Sequence, residues 1–266
     1  MLENYLWLVP LGFGIGAYAT LIGAGGGFIL APILLLSYPA EKSETIASIS
    51  LAVVFFNALS GSVAYARAKR IDYRSGLVFS SISIPGAVLG ALTTSLIPRE
   101  FFDLVFGVLM VLSSAFLLYR PNTGRRIHSD SQRAARSTAY HSRSTLIAGA
   151  CICFLIAYIT SLLGIGGGFI EVPTLVYLLK FPVHIATATS QFIVAVVSFS
   201  GSATHIATGL FQHGLRRTVA LAIGVILGAQ LGARLSSQLN SDWIIRSLAA
   251  ALGFVGLQLF WHVLFS

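Results

Sequence analysis

Charged residues are scarce in this chain of 266 residues. Asp, Glu, Lys and Arg together make up 10% of it, whereas hydrophobic residues make up 56%. Soluble domains carry about 25% charged residues, so this composition excludes an ordinary soluble protein. The mean hydropathy of +0.84 points the same way. The sequence therefore predicts an integral membrane protein.

Cysteine is nearly absent, and the sequence patterns of common enzymes are missing. The two cysteines, Cys151 and Cys153, lie in one apolar stretch and are predicted to face different sides of a helix. They have no His or Cys partners at ligand spacing, so we expect neither a metal nor another cofactor. The His-Glu-x-x-His pattern, the Gly-x-Ser-x-Gly pattern and a phosphate-binding loop are all absent. We therefore expect no enzymatic activity.

The net charge of +8 comes from basic residues that are concentrated between the apolar blocks. Six arginines lie in the segment 120–144, and a second basic cluster spans residues 67–74. Basic loops stay on the cytoplasmic side of a membrane, which explains the charge without nucleic acid. No aromatic platform accompanies the arginines, so nucleic-acid binding is not expected. The expected location is the cytoplasmic (inner) membrane of the cell.

Six apolar blocks are long enough to cross a membrane as single helices, for which roughly 20 residues are needed. They begin near Ser43, Leu77, Phe101, Ile185, Thr218 and Trp243. Two further blocks, 5–36 and 146–179, are too long for one straight span. A helix over residues 5–36 would measure about 48 Å, against a hydrocarbon core of about 30 Å. We therefore predict about eight membrane segments, two of which are discontinuous, re-entrant or strongly tilted.

Each of the two long blocks contains the same glycine run. Gly25-Gly26-Gly27-Phe28-Ile29 and Gly166-Gly167-Gly168-Phe169-Ile170 stand 141 residues apart, and each is followed by a proline. Glycine is about 1 kcal/mol less favourable than alanine in a helix, so three in succession predict a break. A broken helix inside a membrane leaves backbone groups that protein, water or a ligand must satisfy.

Further matches at nearly the same offset indicate a duplicated chain. Gly61-Ser62 pairs with Gly201-Ser202, and the glycines at 86 and 90 pair with those at 224 and 228. The predicted fold class is an all-α polytopic membrane protein of two homologous four-segment repeats. The repeats span residues 1–119 and 145–266, and a basic cytoplasmic linker, 120–144, joins them. The charge distribution does not decide between parallel and inverted repeats.

The helix that follows each glycine run, from Phe28 and from Phe169, is predicted to present its first N–H groups to a ligand. Such an end carries about half a positive charge, and two converging ends would form a cradle for an anion. The alternative is that the glycines serve close helix packing alone, as the spaced glycines elsewhere are predicted to do. The predicted substrate-binding residues are Gly25, Gly26, Gly27, Phe28, Ser50, Gly166, Gly167, Gly168, Phe169, Thr189, Ser190 and Gln191.

Glu171 is a carboxylate within an apolar run beside the second glycine run, and its counterpart in the first half is Leu30. An ionisable group in a membrane segment is costly, so proton coupling or gating is the functional interpretation. A carboxylate stabilised by the dipole of its own helix, or one that reaches a water-filled vestibule, is the alternative. Asn57 is the second residue to which we assign a coupling or gating role.

Taken together, these motifs resemble the TauE/SafE family of membrane permeases. The similar stretches are the doubled Gly-Gly-Gly-Phe-Ile-x-x-Pro pattern, Ala188-Thr189-Ser190, and the segments 70–74 and 227–235. The resemblance implies a permease for sulfite, a sulfonate or another small organosulfur or organic anion. The first half departs from the pattern, because Ser48-Ile49-Ser50 stands in place of Ala-Thr-Ser.

The sequence as a whole predicts a secondary transporter that moves a small anion by alternating access around the two glycine runs. A passive anion channel and a non-transporting membrane subunit or sensor are the alternatives. The expected partners are the anion, the lipid bilayer and protons as the coupling ion. A homo-oligomer is compatible with the chain.

Overall fold

The computed structural model describes residues 6–38, 41–119, 143–179, 181–209, 214–236, 238–239 and 241–265. Every regular element in these ranges is helical. The predicted linker, 120–144, lies almost entirely outside the described residues. The helices are α1 Leu8–Ile22, α2 Gly27–Ser37, α3 Ser43–Arg67, α4 Tyr73–Thr93, α5 Arg99–Tyr119, α6 Arg143–Leu162, α7 Gly168–Pro173, α8 Val183–Ala207, α9 Leu215–Leu235 and α10 Ser241–Phe265. A 3₁₀ turn, Thr94–Leu96, extends α4, and a π-helical turn, Thr174–Leu178, extends α7.

Five of the described helices are long and apolar enough to span a bilayer, namely α3, α4 with its 3₁₀ turn, α5, α8 and α9. Helices α1 and α2, α7 with its π turn, and parts of α6 and α10 form shorter apolar segments. The prediction of an all-helical protein with several membrane spans is thus confirmed. The count of about eight segments stays a prediction.

Helices α3 and α8 lie at the centre of the molecule and pack against each other. In an apolar stretch of 18 residues within each helix, 72% of the residues of α3 and 67% of those of α8 are buried, whereas 33% are buried in α5. Around them, α1 packs along α9, α4 packs along α6, and α5 packs along α10. Large apolar side chains such as Leu112 and Leu227 are exposed on the outer helices, as expected of a surface that faces lipid.

Spaced glycines allow the outer helices to approach each other closely. Gly224, Gly228 and Gly232 of α9 each lie against a backbone carbonyl of α1, and Gly86 and Gly90 of α4 lie against carbonyls of α6. Lipid offers no hydrophobic drive for helix association, so close backbone packing takes its place. The predicted packing role of these glycines is confirmed.

Gly228→Ala is expected to lower the thermal stability of the purified protein, because its methyl group would collide with the carbonyl oxygen of Phe13. Overpacking of this kind costs about 1–3 kcal/mol. Gly14→Ala on α1 is the matched control, since nothing described lies within 4 Å of its added methyl group. Thermal denaturation in detergent should give a lower midpoint for Gly228→Ala alone. Equal midpoints for the two variants would contradict the close packing of α1 on α9.

Candidate functional site

Both glycine runs interrupt a helix, as the sequence predicts. Helix α1 ends at Ile22 and α2 begins at Gly27, while α6 ends at Leu162 and α7 begins at Gly168. Each new helix therefore starts one residue earlier than predicted. We call the residues between the paired helices, 23–26 and 163–167, the first break and the second break.

Gly26 and Gly167 turn the chain into the new helices. Their φ angles are 93° and 89°, in the left-handed region that glycine adopts at little cost and other residues avoid. The carbonyl of Gly26 accepts the first hydrogen bonds of α2, from the amides of Ile29 and Leu30 at 3.2 and 3.0 Å. The carbonyl of Gly167 plays the same part in α7. The glycine at this position is thus required by the backbone.

The first two backbone N–H groups of each new helix form no hydrogen bond with the described residues. Within the described residues, the amides of Gly27 and Phe28 in α2, and of Gly168 and Phe169 in α7, have no hydrogen-bond acceptor. All four residues are buried. More than 90% of buried backbone amides in proteins are paired, so four unpaired donors at two helix starts are an exception. Donors of this kind are suited to an anion.

The two breaks cross each other in direct backbone contact. Gly27 lies against the backbone of Ile165, and Gly168 lies against the backbone of Gly23. A Cβ atom at Gly27 or Gly168 would collide with those backbone atoms. The phenylalanine rings that follow in the two helices have centroids 6.1 Å apart. The predicted convergence of the two helix starts is therefore present.

Protein encloses both breaks in this conformation. Residues 23–28 and 163–169 are all buried, and Val54 and Val194 from the central helices pack against Gly25 and Gly166. Neither glycine triplet lines any of three cavities of about 350 to 460 Å³, although Phe169 and Ile170, directly after the second triplet, line the largest of the three. The largest is an apolar cavity between α5 and α7. The unpaired amides are thus shielded from solvent, and a ligand would reach them only after the helices move.

A buried network of side chains holds the first break. Asn57 donates from Nδ2 to the carbonyl of Gly25 at 2.9 Å, and its Oδ1 accepts from the hydroxyl of Thr20 at 3.1 Å. Gln191 of α8 donates from Nε2 to the same threonine hydroxyl at 3.0 Å. The Tyr65 hydroxyl donates to the Thr20 carbonyl at 2.7 Å. The network thus joins the first break to both central helices.

This arrangement gives two of the predicted residues a positioning role. Asn57 and Gln191 both hold the Thr20 hydroxyl, and Asn57 also holds the Gly25 carbonyl. The remaining oxygen of Gln191 has no described partner. Sequence reasoning missed Thr20 and Tyr65, which are single polar groups in apolar helices. The position of Thr20, three residues before the first break, was the available signal.

A buried carboxylate follows the second break, in the first turn of α7. Glu171 is 2% exposed, and its Oε2 lies 3.3 Å from the hydroxyl of Ser190. The same hydroxyl lies 3.1 Å from the carbonyl of Gly23, at the end of α1. The Oε1 atom of Glu171 has no described hydrogen-bond partner. Ser190 therefore connects the end of α1 to the carboxylate of α7.

Ser50 and Thr189, the two other polar residues predicted to bind the substrate, lie in different surroundings. Ser50 is buried, and its hydroxyl has no described partner. Thr189 accepts a hydrogen bond from the backbone N–H of Asp72 at 3.1 Å, so it lies at the start of α4 rather than at a glycine run. Substrate contact by either residue stays a prediction.

The described residues contain no group of three or more His, Cys, Asp or Glu side chains that would hold a metal ion. Cys153 is buried and Cys151 is exposed, so the two thiols do face different sides of α6. The polar chemistry described around the breaks is instead that of amides, hydroxyls and one carboxylate.

Comparison with known proteins establishes the class of this protein. The family model described as "Sulfite exporter TauE/SafE" matches residues 7–259, which include both breaks. The chain belongs to this family. No solved structure matches it significantly. Membership confirms the resemblance seen in the sequence motifs.

Curated relatives of the chain are named as transporters. The chain is 31% identical over 274 residues to the "Probable membrane transporter protein YunE" of Bacillus subtilis, covering 99% of this chain and 100% of the relative. It is 26% identical to a "Probable membrane transporter protein" of Methanocaldococcus jannaschii, over 76% and 74% of the two chains. A "Probable membrane transporter protein" of Xylella fastidiosa is 29% identical, over 72% and 70% of the two chains. Together with the helices, these matches make the protein a multi-pass membrane transporter.

Proposed function

We propose that this protein is a secondary transporter that moves a small anion across the cytoplasmic membrane by alternating access around the two breaks. The observation that carries the proposal is the set of four buried, unpaired amides at the starts of α2 and α7. These helix starts lie against each other, so both can serve one ligand. Transporters of other folds bind anionic groups at the starts of broken helices in the same way.

Backbone amides, which carry a partial positive charge, are the groups in this interior that can bind an anion. Among the described side chains, no Lys or Arg is buried. A helix start contributes about half a positive charge together with its free N–H groups, and two such starts approach one full charge. The site therefore suits a small anion whose negative charge is spread over oxygens.

The proposed substrates are sulfite, a sulfonate or another small organosulfur or organic anion. The description of the family model names a sulfite exporter, which supports a sulfur oxyanion. The printed names of the curated relatives specify no substrate. A screen of thermal stability against sulfite, sulfate, thiosulfate, sulfoacetate, taurine and simple carboxylates should identify the anion class. Stabilisation by none of them would contradict the proposal.

The enclosure of the breaks supports a carrier rather than an open channel. We interpret the conformation as occluded, with access from either side produced by movement of one half against the other. The unpaired amides at the starts of α2 and α7 would become accessible to the substrate as the halves separate. Glu171, in the first turn of α7 after the second break, is the proposed coupling group.

We further propose that the chain consists of two fused repeats, 1–119 and 145–266, each opening with a broken helix. Reciprocal packing supports this organisation: α1 of the first half packs along α9 of the second, and α6 of the second packs along α4 of the first. The two crossing breaks and the central pair of α3 and α8 fit a two-fold relation. Inverted repeats, which are common in transporters with sites near the bilayer midplane, are the favoured form.

Replacement of Gly26 or Gly167 by leucine is expected to abolish anion uptake by reconstituted vesicles. A side chain at either position is strained at a φ near +90°, and the helix starts would shift. Gly14→Leu is the control and should transport normally, since Gly14 is exposed and a Cβ atom there meets nothing within 4 Å. Uptake is measured with the anion that stabilises the protein most strongly. Normal uptake by both Gly26→Leu and Gly167→Leu would overturn the assignment of the site.

A further inference from the structure

The position of Glu171 creates a charge conflict if the breaks bind an anion. It is the fourth residue of α7, so its carboxylate lies within one turn of the unpaired amides of Gly168 and Phe169. None of the ion pairs between described residues includes Glu171. A buried carboxylate repels a neighbouring anion strongly, because little solvent screens the two charges. Anion binding beside Glu171 therefore needs a cation or a proton that neutralises the carboxylate.

Three oxygen atoms around Ser190 are arranged as ligands for such a cation. The Ser190 hydroxyl lies 3.1 Å from the Gly23 carbonyl oxygen and 3.3 Å from Oε2 of Glu171. A serine hydroxyl has one proton, so it cannot donate to both oxygens at once. Both separations also exceed the 2.7–2.8 Å typical of O–H···O hydrogen bonds. The three oxygens therefore lack one proton or metal cation that would satisfy them all.

The spacing of the oxygens fits an ion of the size of sodium. Hard cations of about this radius bind oxygen at about 2.4 Å, and two such ligands at right angles lie about 3.4 Å apart. The Gly23 carbonyl belongs to the end of α1, where the helix dipole favours a cation. In transporters with broken helices, backbone carbonyls at such helix ends coordinate the coupling sodium ion or proton.

Further oxygens line the same region. The Thr160 hydroxyl is 3.0 Å from the position of a Cβ on Gly167, and Oε1 of Glu171 is 3.5 Å from that position. This second carboxylate oxygen has no described partner and is free to join the coordination.

We propose that the Glu171 carboxylate, the Ser190 hydroxyl and the Gly23 carbonyl bind one sodium ion, which is transported together with the anion. The inference rests on the proposed function and names its coupling ion. The ion neutralises Glu171 and lies directly beside Gly168, since the Gly23 carbonyl contacts that residue. Cation and anion therefore stabilise each other across the contact between the two breaks. The first half has Leu30 in place of Glu171, so one ion serves both breaks.

Sodium alone is expected to stabilise the purified protein. The thermal midpoint should rise saturably in sodium chloride but not in choline chloride of equal ionic strength, because the ion binds the folded state. Glu171→Gln and Ser190→Ala should each abolish this shift. The controls are Glu100→Gln, an exposed carboxylate on α5, and Ser200→Ala, a serine on α8 whose hydroxyl bonds within its own helix. Both controls should keep the shift.

The anion adds a test that a merely structural carboxylate would not pass. In the native protein, sodium should strengthen binding of the anion identified by the stability screen by about tenfold, as is typical of coupled sites. Glu171→Gln should bind the anion with an affinity that no longer depends on sodium, because no charge remains to be neutralised. Ser190→Ala keeps the charge and should bind the anion weakly in both salts.

Two results would overturn the sodium site. The first is the absence of a sodium shift together with uptake driven by a pH gradient in sodium-free vesicles, which would assign a proton to the same carboxyl group. The second is uptake that depends on neither gradient. Both results leave the proposed function standing, because anion binding by the amides is tested separately by the glycine variants. A sodium shift without any anion binding would instead contradict the proposed function.

Discussion

Phe28→Pro is expected to weaken anion binding by about 10- to 100-fold. Proline has no backbone N–H, so the variant deletes one of the four amides proposed to bind the anion. Proline is tolerated in the first turn of a helix, where the N–H has no partner within the helix. A hydrogen bond to a charged group contributes about 1.5–3 kcal/mol, which corresponds to this range of affinity. Phe169→Pro should have the same effect in the second half.

The control for each proline variant is the alanine variant at the same position. Phe28→Ala also removes the ring, which is buried against that of Phe169, but it keeps the amide. Both variants should lose stability, and the proline variant alone should lose anion affinity in addition. Affinity is measured by titration calorimetry in detergent, and folding is checked by size-exclusion chromatography. Equal affinities of Phe28→Pro and Phe28→Ala would show that the amide does not bind the anion.

Asn57→Val is expected to lower the free energy of unfolding by about 2–5 kcal/mol and to abolish transport. The variant leaves the Gly25 carbonyl without its donor and the proton of the Thr20 hydroxyl without its acceptor, and each unpaired buried group costs about 1–3 kcal/mol. The second half of the chain has Val197 at the matching position, so valine fits the local helix. Denaturation in detergent and uptake by vesicles measure the two effects.

The variant Thr20→Val makes this prediction specific. Because the two side chains bond to each other, the losses in Asn57→Val and Thr20→Val should not add in the double variant. The coupling energy should be at least about 0.5 kcal/mol, the range found for residues in one hydrogen-bond network. Ser114→Ala, which loses a bond from α5 to α10, is a remote partner for the same cycle and should be additive with Asn57→Val. Additive losses for Asn57 and Thr20 would contradict the network.

The location of the candidate site was readable from the sequence because local backbone chemistry fixes it. Three successive glycines break a helix wherever they occur, and both breaks are present within one residue of the predicted position. The packing glycines at 86, 90, 224, 228 and 232 were readable for a similar reason, since their spacing marks one face of a helix. Glu171 stood out because a carboxylate is rare in an apolar run.

The partners of the predicted side chains were not readable, because they come from distant parts of the chain. Gln191 bonds to Thr20 and Ser190 lies against Gly23, over separations of 171 and 167 residues. Thr189 belongs to the same short motif as Ser190, yet neighbouring positions on a helix face different directions, and it contacts Asp72 instead. Thr20 and Tyr65 could not be ranked above other single polar residues in apolar helices.

The sequence by itself determined the membrane environment, the helical class, the two helix breaks and the family, because composition and short motifs act locally. Tertiary structure decided that the breaks cross each other, that their first amides are unpaired and enclosed, and that a hydroxyl of α8 joins the end of α1 to Glu171. These features depend on how the helices of the two halves pack together. Packing brings together residues that no local pattern relates.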